Sequence, residues 1–289
     1  MMEELYQIEC KKKEQELYRN IIVVRGGGDL ASGVVHKLHN CGYPIIILEC
    51  EQPSAIRRRV CFSEAVYHGS AEVEKVICHR AESLEEAHAI LKLGHVALMV
   101  DAEGRMIESI RPKAVIDAIL AKKNLGTHIR MAPAVIALGP GFKAGVDVDF
   151  VVETKRGHHL GRLYEEGEAI PNTGIPGVIQ GYGKERVLHS PCAGIMKQIA
   201  HIGDIVEEGQ IIAYVGKQAV TATLSGVLRG ILPDGYSVPQ GMKMADIDPR
   251  LDQVENCDTI SDKARCIAGG VLEALLYIER LQVGNDNVF

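Results

Sequence analysis

The sequence predicts an α/β protein in which a parallel β-sheet covered by helices is followed by a small β-barrel and a C-terminal helix. Three observations lead to this prediction. Before about residue 155, short β-branched runs alternate with segments of helical periodicity, which is typical of a parallel sheet covered on both faces. Residues 194–215 then align without gaps on residues 226–247, an internal repeat at an offset of 32. An apolar stripe at helical spacing extends from Ala264 to Ile278.

The first elements form a β-α-β unit. The β-branched residues 21–24 predict a buried strand, and apolar residues at helical spacing from Ala31 to Leu38 predict a helix that Gly42 ends. A second apolar run, residues 45–48, is closed by Glu49. Together these elements predict two neighbouring parallel strands joined by a helix.

Later elements follow the same alternation. Ser83 and Glu86 have the form of a capping box and open a helix that Gly94 ends. The further predicted strands are residues 96–100, 134–138 and 148–152. Residues 114–120 fit a helix or a strand, and their short length and β-branched content favour a strand.

Four regions are expected along the chain. Because two similar β-halves can bury their faces against each other, the repeat predicts a flattened, pseudo-twofold barrel. Ser261 is the expected N-cap of the last helix, and Gly269 and Gly270 inside it indicate close approach of another element. The regions are a charged N-terminal extension (1–19), the sheet domain (20–183), the barrel (184–250) and a C-terminal helical segment (251–289) that packs back or on a partner chain.

Composition excludes several classes of protein. The 289 residues are 46% hydrophobic and 24% charged, as expected of a folded globular chain. A formal net charge of −6 argues against duplex nucleic acid as a partner, because that binding depends on cationic neutralisation of phosphates. No apolar run reaches the roughly 18 residues of a membrane-spanning helix, and residues 1–19 lack the features of a secretory signal. We therefore expect a cytoplasmic protein that binds neither nucleic acid nor membrane.

The strongest motif is the turn Gly26-Gly27-Gly28-Asp29-Leu30-Ala31. It matches G-x-G-x-x-A between a strand and a helix, the context of the dinucleotide-binding fingerprint. The helix start would offer amide donors to a phosphate, and Glu49 would accept hydrogen bonds from ribose hydroxyls. Asp29 argues against a standard pyrophosphate site, because its carboxylate could cap the same donors. A glycine turn that serves only chain geometry is the alternative.

Two other segments are candidates for anion binding. Arg57 and Arg58 follow the second strand, where the carboxyl edge of a parallel sheet would let them clamp an anionic ligand. The loop from Glu153 to Gly161 packs a carboxylate, cations and imidazoles at a strand end, as ligand-facing loops do. On an extended segment His158 and His159 would point to opposite faces, so no metal site is predicted. Solvated surface turns are the alternative for both segments.

The barrel contains a Met-Lys-Met tripeptide at 242–244, the sequence that surrounds biotinylated lysine. It lies inside the second half-repeat, whereas a modifiable lysine protrudes at the hairpin between the halves. Lys217 occupies that hairpin without methionine neighbours. We therefore expect an unmodified module that carries neither biotin nor lipoate.

Five segments carry a family resemblance: RGGGDLASGVVHKL, PSAIRRRVCFSEAVYHG, ALGPGFKAGVDVDFVVETKRGHHLG, IPNTGIPG and DIDPR. They resemble the selenium-dependent molybdenum hydroxylase maturation family, a YqeB-like group related through its Rossmann part to the XdhC/CoxI-like accessory proteins. The likeness runs from about residue 20 to residue 283. It implies a Rossmann-like domain followed by a barrel-sandwich hybrid that is similar to biotinyl/lipoyl domains.

The resemblance also implies a function. It indicates an accessory factor, rather than a turnover enzyme, that binds a molybdopterin-type cofactor or a nucleotide. Its partners would be a molybdenum hydroxylase apoenzyme and other maturation proteins, and a homo-oligomer is possible. The positions that match the family motifs are Gly26, Gly28, Asp29, Arg57, Arg58, Gly139, Gly141, Glu153, Thr154, Arg156, Gly157 and His158. Gly27 and Glu49 join them as candidates for cofactor binding.

Two functions of other classes remain open. A nicotinamide-dependent oxidoreductase would bind NAD(P) at the glycine turn, with Glu49 on the ribose. A non-catalytic interaction module would dock a hydroxylase through the barrel, and its glycine turn would be structural.

Overall fold

A computed structural model describes residues 12, 14–174 and 177–286, and these residues divide into two compact units. The first unit comprises the described residues up to Pro53, Phe62–Asn172 and the residues from Ser261 onward. The second comprises Ser54–Cys61 and the described part of Thr173–Ile260. This division differs from the predicted regions, because a short early segment joins the second unit and the C-terminal helix joins the first.

Part of the predicted extension and of the IPNTGIPG segment lies outside the described residues; residues 14–19 are helical. The α-helices that follow are α1 (Asp29–Asn40), α2 (Ala65–His68), α3 (Leu84–Lys92), α4 (Ile107–Ile110) and α5 (Asp262–Asp286). Among the residues described, none of the helices combines the length and apolarity that crossing a bilayer requires.

The strands of the first unit form one large sheet and one two-stranded sheet. They are β1 (Ile22–Arg25), β2 (Ile45–Glu49), β3 (Ser70–Val73), β4 (Val76–Arg80), β5 (Val96–Val100), β6 (Ala114–Asp117), β7 (Val135–Leu138), β8 (Lys143–Ala144), β9 (Phe150–Val152), β10 (Leu163–Tyr164) and β11 (Gly167–Glu168).

The large sheet has nine strands within the described residues, in the order β10-β9-β7-β6-β1-β2-β5-β4-β3. Strands β9 to β4 of this order pair in parallel, whereas β10 and β3 pair antiparallel at the two edges. The alternation of strands and helices therefore predicted the α/β class and the parallel sheet correctly. The edge strands β3 and β10, and β4 beside β3, were not predicted, because the apolar runs of their residues are short or absent.

Buried residues on both faces of the sheet explain its continuous apolar strands. All four residues of β1 are buried. Val23 and Ile46 share a buried cluster with residues of α3 and α4, while α1 and α5 pack together and contact β2, β7 and β9. The covering on both faces is what parallel strands without alternating polarity require.

The C-terminal helix packs closely on other elements of the first unit. A Cβ added at Gly270 would meet the carbonyl oxygen of Gly161, and one added at Gly33 of α1 would lie 2.7 Å from the Cβ of Ala264. The close approach predicted from the paired glycines is therefore confirmed for Gly270. Gly269 has open space instead.

Capping residues begin two of the helices as the sequence predicts. The backbone N–H of Glu86 donates to Ser83 Oγ at 3.2 Å, and that of Ala264 donates to Ser261 Oγ at 3.2 Å. Each bond satisfies one of the amide groups that a helix start leaves without an intrahelical partner.

The second unit consists of two four-stranded antiparallel sheets, with orders β12-β19-β17-β14 and β16-β15-β13-β18. Residues of both sheets share one buried apolar core. The strands are β12 (Val187–His189), β13 (Gly194–Gln198), β14 (Ile205–Val206), β15 (Ile211–Val215), β16 (Gln218–Thr221), β17 (Gly226–Ile231), β18 (Ser237–Val238) and β19 (Lys243–Asp248).

These strands repeat at the offset seen in the sequence. Adding 32 to the first residue of β13, β14 and β15 gives the first residue of β17, β18 and β19. Strands β12 and β16 also occupy equivalent places, each at the edge of its sheet, so the repeat extends beyond residues 194–247. Each half gives its short middle strand to the other half's sheet.

Hydrogen bonds between the halves follow the same repeat. The N–H of Met196 donates to the carbonyl of Tyr236, and the equivalent N–H of Leu228 donates to the carbonyl of Asp204, both at 2.9 Å. The two halves therefore depend on each other for their backbone pairing.

Candidate functional site

Most of the predicted site residues lie at one edge of the large sheet, where the parallel strands have their carboxyl ends. From β1 the chain proceeds to β2 on one side, and β6 lies on the other side of β1. The order of strands along the sheet therefore reverses at β1. The carboxyl end of β1 is then a topological switch point, where ligands of open α/β sheets bind.

Gly26 follows β1 at this switch point with a φ of +94°. A Cβ there would lie 3.0 Å from the carbonyl oxygen of Ala118 and 3.1 Å from Cα of Ile119, in the loop after β6. Both the left-handed backbone and the close approach favour glycine. The glycine turn thus contacts the loop from the neighbouring strand.

The peptide of Gly27 is held on both sides. Its N–H donates to Glu49 Oε2 at 2.7 Å, and its carbonyl accepts from the N–H of Ser63 at 2.9 Å and from Ser32 Oγ at 3.1 Å. The second glycine therefore has a fixed position before any ligand arrives.

Gly28 is open by contrast. It is the N-cap of α1, with a φ of −67° and no side-chain cap, and a Cβ there would meet no atom within 4 Å. Asp29 is the first residue of the helix. The start of a twelve-residue helix at the switch point thus faces open space at its cap residue.

Glu49 lies where the fingerprint predicts an acidic residue. Its Oε1 accepts from the N–H of Cys50 at 2.7 Å, and its Oε2 accepts from Gly27 as described. The carboxylate thus links the end of β2 to the glycine turn and keeps lone pairs for a further donor. Burial and then the Glu49 charge raise the pKa of the Cys50 thiol to about 12, so this thiol stays protonated at neutral pH.

Glycines of two other loops bring their strands' ends together. A Cβ at Gly139, after β7, would lie 2.5 Å from Oγ1 of Thr154, after β9. One at Gly141 would lie 2.7 Å from the backbone nitrogen of Lys123, after β6. The loops that follow β1, β6, β7 and β9 therefore contact one another in sequence along the edge.

A buried polar cluster that was not predicted lies at the switch point. Arg25 ends β1 and Asp117 ends β6, and each is 1% exposed. Arg25 Nη1 donates to Thr127 Oγ1 at 2.5 Å, and Thr127 Oγ1 donates to Asp117 Oδ2 at 2.5 Å. Burial raises the pKa of Asp117, although Thr127 and Arg25 oppose that shift. A charged residue at the end of each apolar run was the available signal.

The carboxylate of Glu153 accepts hydrogen bonds from residues that follow it in the chain. It is completely buried and accepts from the N–H of Lys155 at 2.7 Å, the N–H of Ile170 at 2.9 Å and the hydroxyl of Tyr164 at 3.3 Å. Three donors to one buried carboxylate give it a structural role that the sequence did not indicate.

Residues 155–159 of this loop are exposed. Arg156 donates to both carboxylate oxygens of Asp262, the first residue of α5, at 2.8 and 2.9 Å. Gly157 has a φ of +134° and open space around it. His158 is exposed, and its ring centroid lies 5.2 Å from that of His159.

The prediction that the two histidines point to opposite faces is wrong, because residues 158–161 form a turn rather than an extended segment. Side chains alternate between faces only along a strand. Across the part of the chain that the structure describes, no three His, Cys, Asp or Glu side chains group as metal ligands.

Arg57 and Arg58 belong to the second unit, not to the sheet domain in which the sequence placed them. Arg57 Nη2 donates to the carbonyls of Asn256 at 3.1 Å and Thr259 at 3.3 Å. Arg58 Nε donates to the carbonyl of Ile231 at 3.0 Å. These donors secure the short early segment to the second unit.

Comparison with known proteins gives one close sequence relative. The chain is 46% identical over 258 residues to "Uncharacterized protein YqeB" from Escherichia coli (strain K12). The match covers 89% of this chain and 48% of that protein, so the chain spans about half the length of the curated relative. The YqeB-like part of the resemblance is therefore confirmed. No family model matches the chain.

Two solved structures of the ectoine utilization protein EutE (DoeB) from Ruegeria pomeroyi also match. The product-bound structure is 13% identical and covers 79% of this chain and 57% of its own. The apo structure is 8% identical and covers 79% of this chain and 86% of its own. Both have a TM-score of 0.23, too low to support a conclusion about fold or function.

Proposed function

We propose that this chain is an accessory factor in the maturation of selenium-dependent molybdenum hydroxylases, and that its first unit binds a phosphate-bearing cofactor. The cofactor would be of the molybdopterin type or a nucleotide. The observation that carries the binding proposal is the open N-cap position of Gly28 at the switch point.

The strand order supports the interpretation of the first unit as a Rossmann-like domain. Strands β5-β2-β1-β6-β7-β9 follow the order 3-2-1-4-5-6 of dinucleotide-binding sheets once the additional strands β3, β4 and β10 are set aside. In that arrangement the first βα turn receives the phosphate, and here it is the glycine turn.

The chemistry of the turn fits a phosphate ester whose other end carries hydroxyls. Amide groups of the first turn of α1 and the positive end of its dipole favour an anion. Glu49 and Asp29 add negative charge nearby, which disfavours a free dianion. Glu49 can instead accept from a ribose or pterin-side hydroxyl while it holds Gly27.

The maturation role rests on the family resemblance, and the second unit supports it. Two sheets with one core and a twofold repeat are what a barrel-sandwich hybrid similar to biotinyl/lipoyl domains would show. Lys217 lies in the hairpin between β15 and β16. In this proposal the barrel docks a hydroxylase apoenzyme and stays unmodified.

Purification from a molybdenum-competent host tests the proposal. Mass spectrometry of the released small molecules should identify a pterin or a nucleotide at a fixed stoichiometry, and elemental analysis of the same sample should quantify molybdenum and selenium. Absence of both pterin and nucleotide at any stoichiometry would overturn the binding proposal.

A variant that fills the site makes the test specific. Gly28→Leu adds a side chain where a Cβ meets nothing and where φ permits it, so the fold should persist while the bound molecule is lost. Gly269→Leu adds the same side chain to an open position of α5 and should retain the molecule. If Gly28→Leu supports hydroxylase maturation as well as the parent chain does, the interaction-module alternative is favoured.

The position of Glu49 also supports a second candidate, a nicotinamide-dependent oxidoreductase. An acidic residue at the end of the second strand accepts from the ribose of NAD in such enzymes. Titration of NADH should then change its fluorescence in the parent chain and leave it unchanged in Gly28→Leu. A flat titration of the parent chain excludes this candidate.

A further inference from the structure

We infer that Lys122 and Lys123 bind the anionic group of the molecule held at the carboxyl edge of the large sheet. This inference rests on the proposed function and adds two binding residues to that site. Neither lysine was among the predicted site residues, in which Arg57 and Arg58 were expected to clamp an anion. The guanidinium groups of those two arginines donate to carbonyl groups of the second unit instead.

The loop after β6 carries both lysines and begins directly beside the glycine turn. Strand β6 pairs in parallel with β1, with Asp117 opposite Arg25 at the strand ends, so the two loops leave the sheet about 5 Å apart. A Cβ on Gly26 would lie 3.1 Å from Cα of Ile119, three residues before Lys122. The loop after β6 is therefore the next element that a molecule extending from the glycine turn would meet.

Contacts on two sides hold this loop in place. Thr127 Oγ1 accepts from the buried Arg25 at 2.5 Å, and the side chain of Asn124 accepts from the N–H of Thr127 and donates to its carbonyl, both at 2.8 Å. On the other side, a Cβ on Gly141 would lie 2.7 Å from the backbone nitrogen of Lys123. The backbone that carries the lysines therefore has a fixed position before any ligand arrives.

The backbone conformation of the loop is unfavourable at two positions. Leu120 and Lys122 have φ values of +59° and +63°, in the left-handed region that residues with a side chain rarely adopt. Strained residues of this kind concentrate in the ligand-binding loops of folded proteins. Glycine at position 122 would relieve the strain but would carry no positive charge.

Both lysine side chains are exposed, and neither forms an ion pair or a side-chain hydrogen bond with a residue that the structure describes. Lysine carries a compact positive charge on a flexible stem, so its ammonium group can move onto an anion without a prearranged contact. Asp29 and Glu49 place negative charge on the opposite side of the glycine turn. A phosphate at the start of α1 is therefore drawn towards the loop after β6, while Glu49 can accept from hydroxyl groups at the other end of the molecule.

The experiment compares the full chain with three variants. The glutamine pair, Lys122→Gln with Lys123→Gln, removes both charges, whereas the arginine pair, Lys122→Arg with Lys123→Arg, keeps them. Lys75→Gln is the matched control, because Lys75 is also exposed and has a φ of +72°. It lies in the hairpin between β3 and β4, at the amino edge of the sheet and away from the site.

Mass spectrometry first identifies the pterin phosphate or nucleotide that the parent chain retains, and that compound is then titrated calorimetrically onto chains stripped of it. We expect the glutamine pair to raise the Kd about tenfold, while the arginine pair and Lys75→Gln leave it within about twofold. Raising the salt concentration from about 0.05 to about 0.5 M should weaken binding to the parent chain more than to the glutamine pair, because salt screens the attraction.

The outcomes separate this inference from the proposed function. If the parent chain retains neither a pterin nor a nucleotide, both are overturned. If it retains one and the glutamine pair binds that compound with an unchanged Kd, only the role of the lysines is overturned. An arginine pair that binds as weakly as the glutamine pair, or a glutamine pair with a Tm several degrees below that of Lys75→Gln, would mean that the residues shape the loop rather than supply charge, which also overturns the inference.

Discussion

Each of the two units buries an aspartate, and the pKa values of these two aspartates are shifted in opposite directions. In the first unit, Asp117 lies beside one guanidinium, Arg25, at 3.7 Å, and burial raises its pKa. In the second unit, Asp248 is equally buried, but hydrogen bonds from Arg250 and the charge of Arg229 outweigh burial and lower its pKa. Cationic hydrogen-bond donors therefore oppose the effect of burial on the pKa more strongly at Asp248 than at Asp117.

Glycines with positive φ are also arranged differently in the two units. In the first unit, glycines of positive φ at 26, 139 and 141 lie along one edge and join neighbouring loops. In the second, Gly203 and Gly235 occupy equivalent turns of the two halves. The turns of the second unit thus repeat with its two halves, whereas these three glycines of the first unit bring loops together at the carboxyl edge of the sheet. Ligands of open α/β sheets bind at that edge, so a ligand site is expected on the first unit.

The largest expected effect is that of Asp117→Asn. It leaves the Arg25 guanidinium buried without a carboxylate, so the free energy of unfolding of the first unit should fall by about 3–5 kcal/mol. Hydrogen exchange of peptides that contain β1 and β6, followed by mass spectrometry, measures this loss.

Asp248→Asn is the control in the second unit. Because the side chains of Arg229 and Arg250 are 14% and 32% exposed, water can solvate them in part, and the loss should be smaller, about 1–3 kcal/mol. Equal losses at the two positions would contradict the contrast between the units.

A smaller effect is expected from alanine at Gly141. This substitution adds a Cβ within 2.7 Å of backbone at a φ of +110°, so stability should fall by about 3 kcal/mol. Gly145, with a φ of +76° and its nearest neighbour at 3.5 Å, bears only the conformational cost, and its alanine variant should lose about 1 kcal/mol. Chemical denaturation measures the free energy of unfolding of both variants. A larger loss for the Gly141 variant would show that close contact between loops, in addition to the left-handed backbone, requires glycine at that position.

The loop after β9 contains a buried charged residue, Glu153, and an exposed one, Arg156. Glu153→Gln places an amide opposite donors that now bond a carboxylate, and should cost about 2 kcal/mol. Arg156→Gln breaks the ion pair with Asp262, whose side chains are 52% and 76% exposed, and should cost less than about 1 kcal/mol. Thermal unfolding that ranks Arg156→Gln as the more damaging variant would refute the structural role of Glu153.

The smallest expected effect is the pH dependence of the two aspartates. The lowered pKa of Asp248 means that its stabilisation is present above the ordinary aspartate pKa of about 4 and is lost as pH falls through its lower folded value. The raised pKa of Asp117 acts in the opposite sense, because the folded state binds the proton more tightly and gains stability as pH falls through that value.

Hydrogen exchange at a series of pH values below 5 should therefore show the Asp248 contribution to the second unit decreasing. Asp248→Asn should remove that part of the acid dependence, and Asp117→Asn should remove the opposing part in the first unit. An acid dependence unchanged in both variants would show that neither carboxylate contributes.

Much of the fold was predictable because it follows from local pattern. Apolar runs such as residues 21–24 and 45–48 identified parallel strands, and Ser83 and Ser261 identified helix starts. Strands β3 and β4 were missed because β3 lacks an apolar run and the run in β4, residues 76–78, is short. Their pairing depends on the neighbouring strand more than on their own composition.

The candidate site was predictable only in part. The glycine turn, Glu49, Gly139 and Thr154 do meet at the carboxyl edge, as the strand-end rule predicts. The internal use of Glu153 and the placement of Arg57 in the second unit were not foreseen. Both depend on partners distant in sequence, Ile170 for the first and Asn256 for the second.

Periodicity and motif spacing determined the α/β class, the repeated second half and the glycine turn, because each depends on residues close together in the chain. Folding in three dimensions determined which polar groups are paired, since hydrogen-bond partners come from any part of the sequence. Ser32 and Ser63 look alike in the sequence, yet the hydroxyl of Ser32 makes two hydrogen bonds that hold the turn, whereas that of Ser63 has no hydrogen-bond partner among the residues that the structure describes. That difference arises from the packing of the Phe62–Glu64 segment on Gly27, which no local pattern encodes.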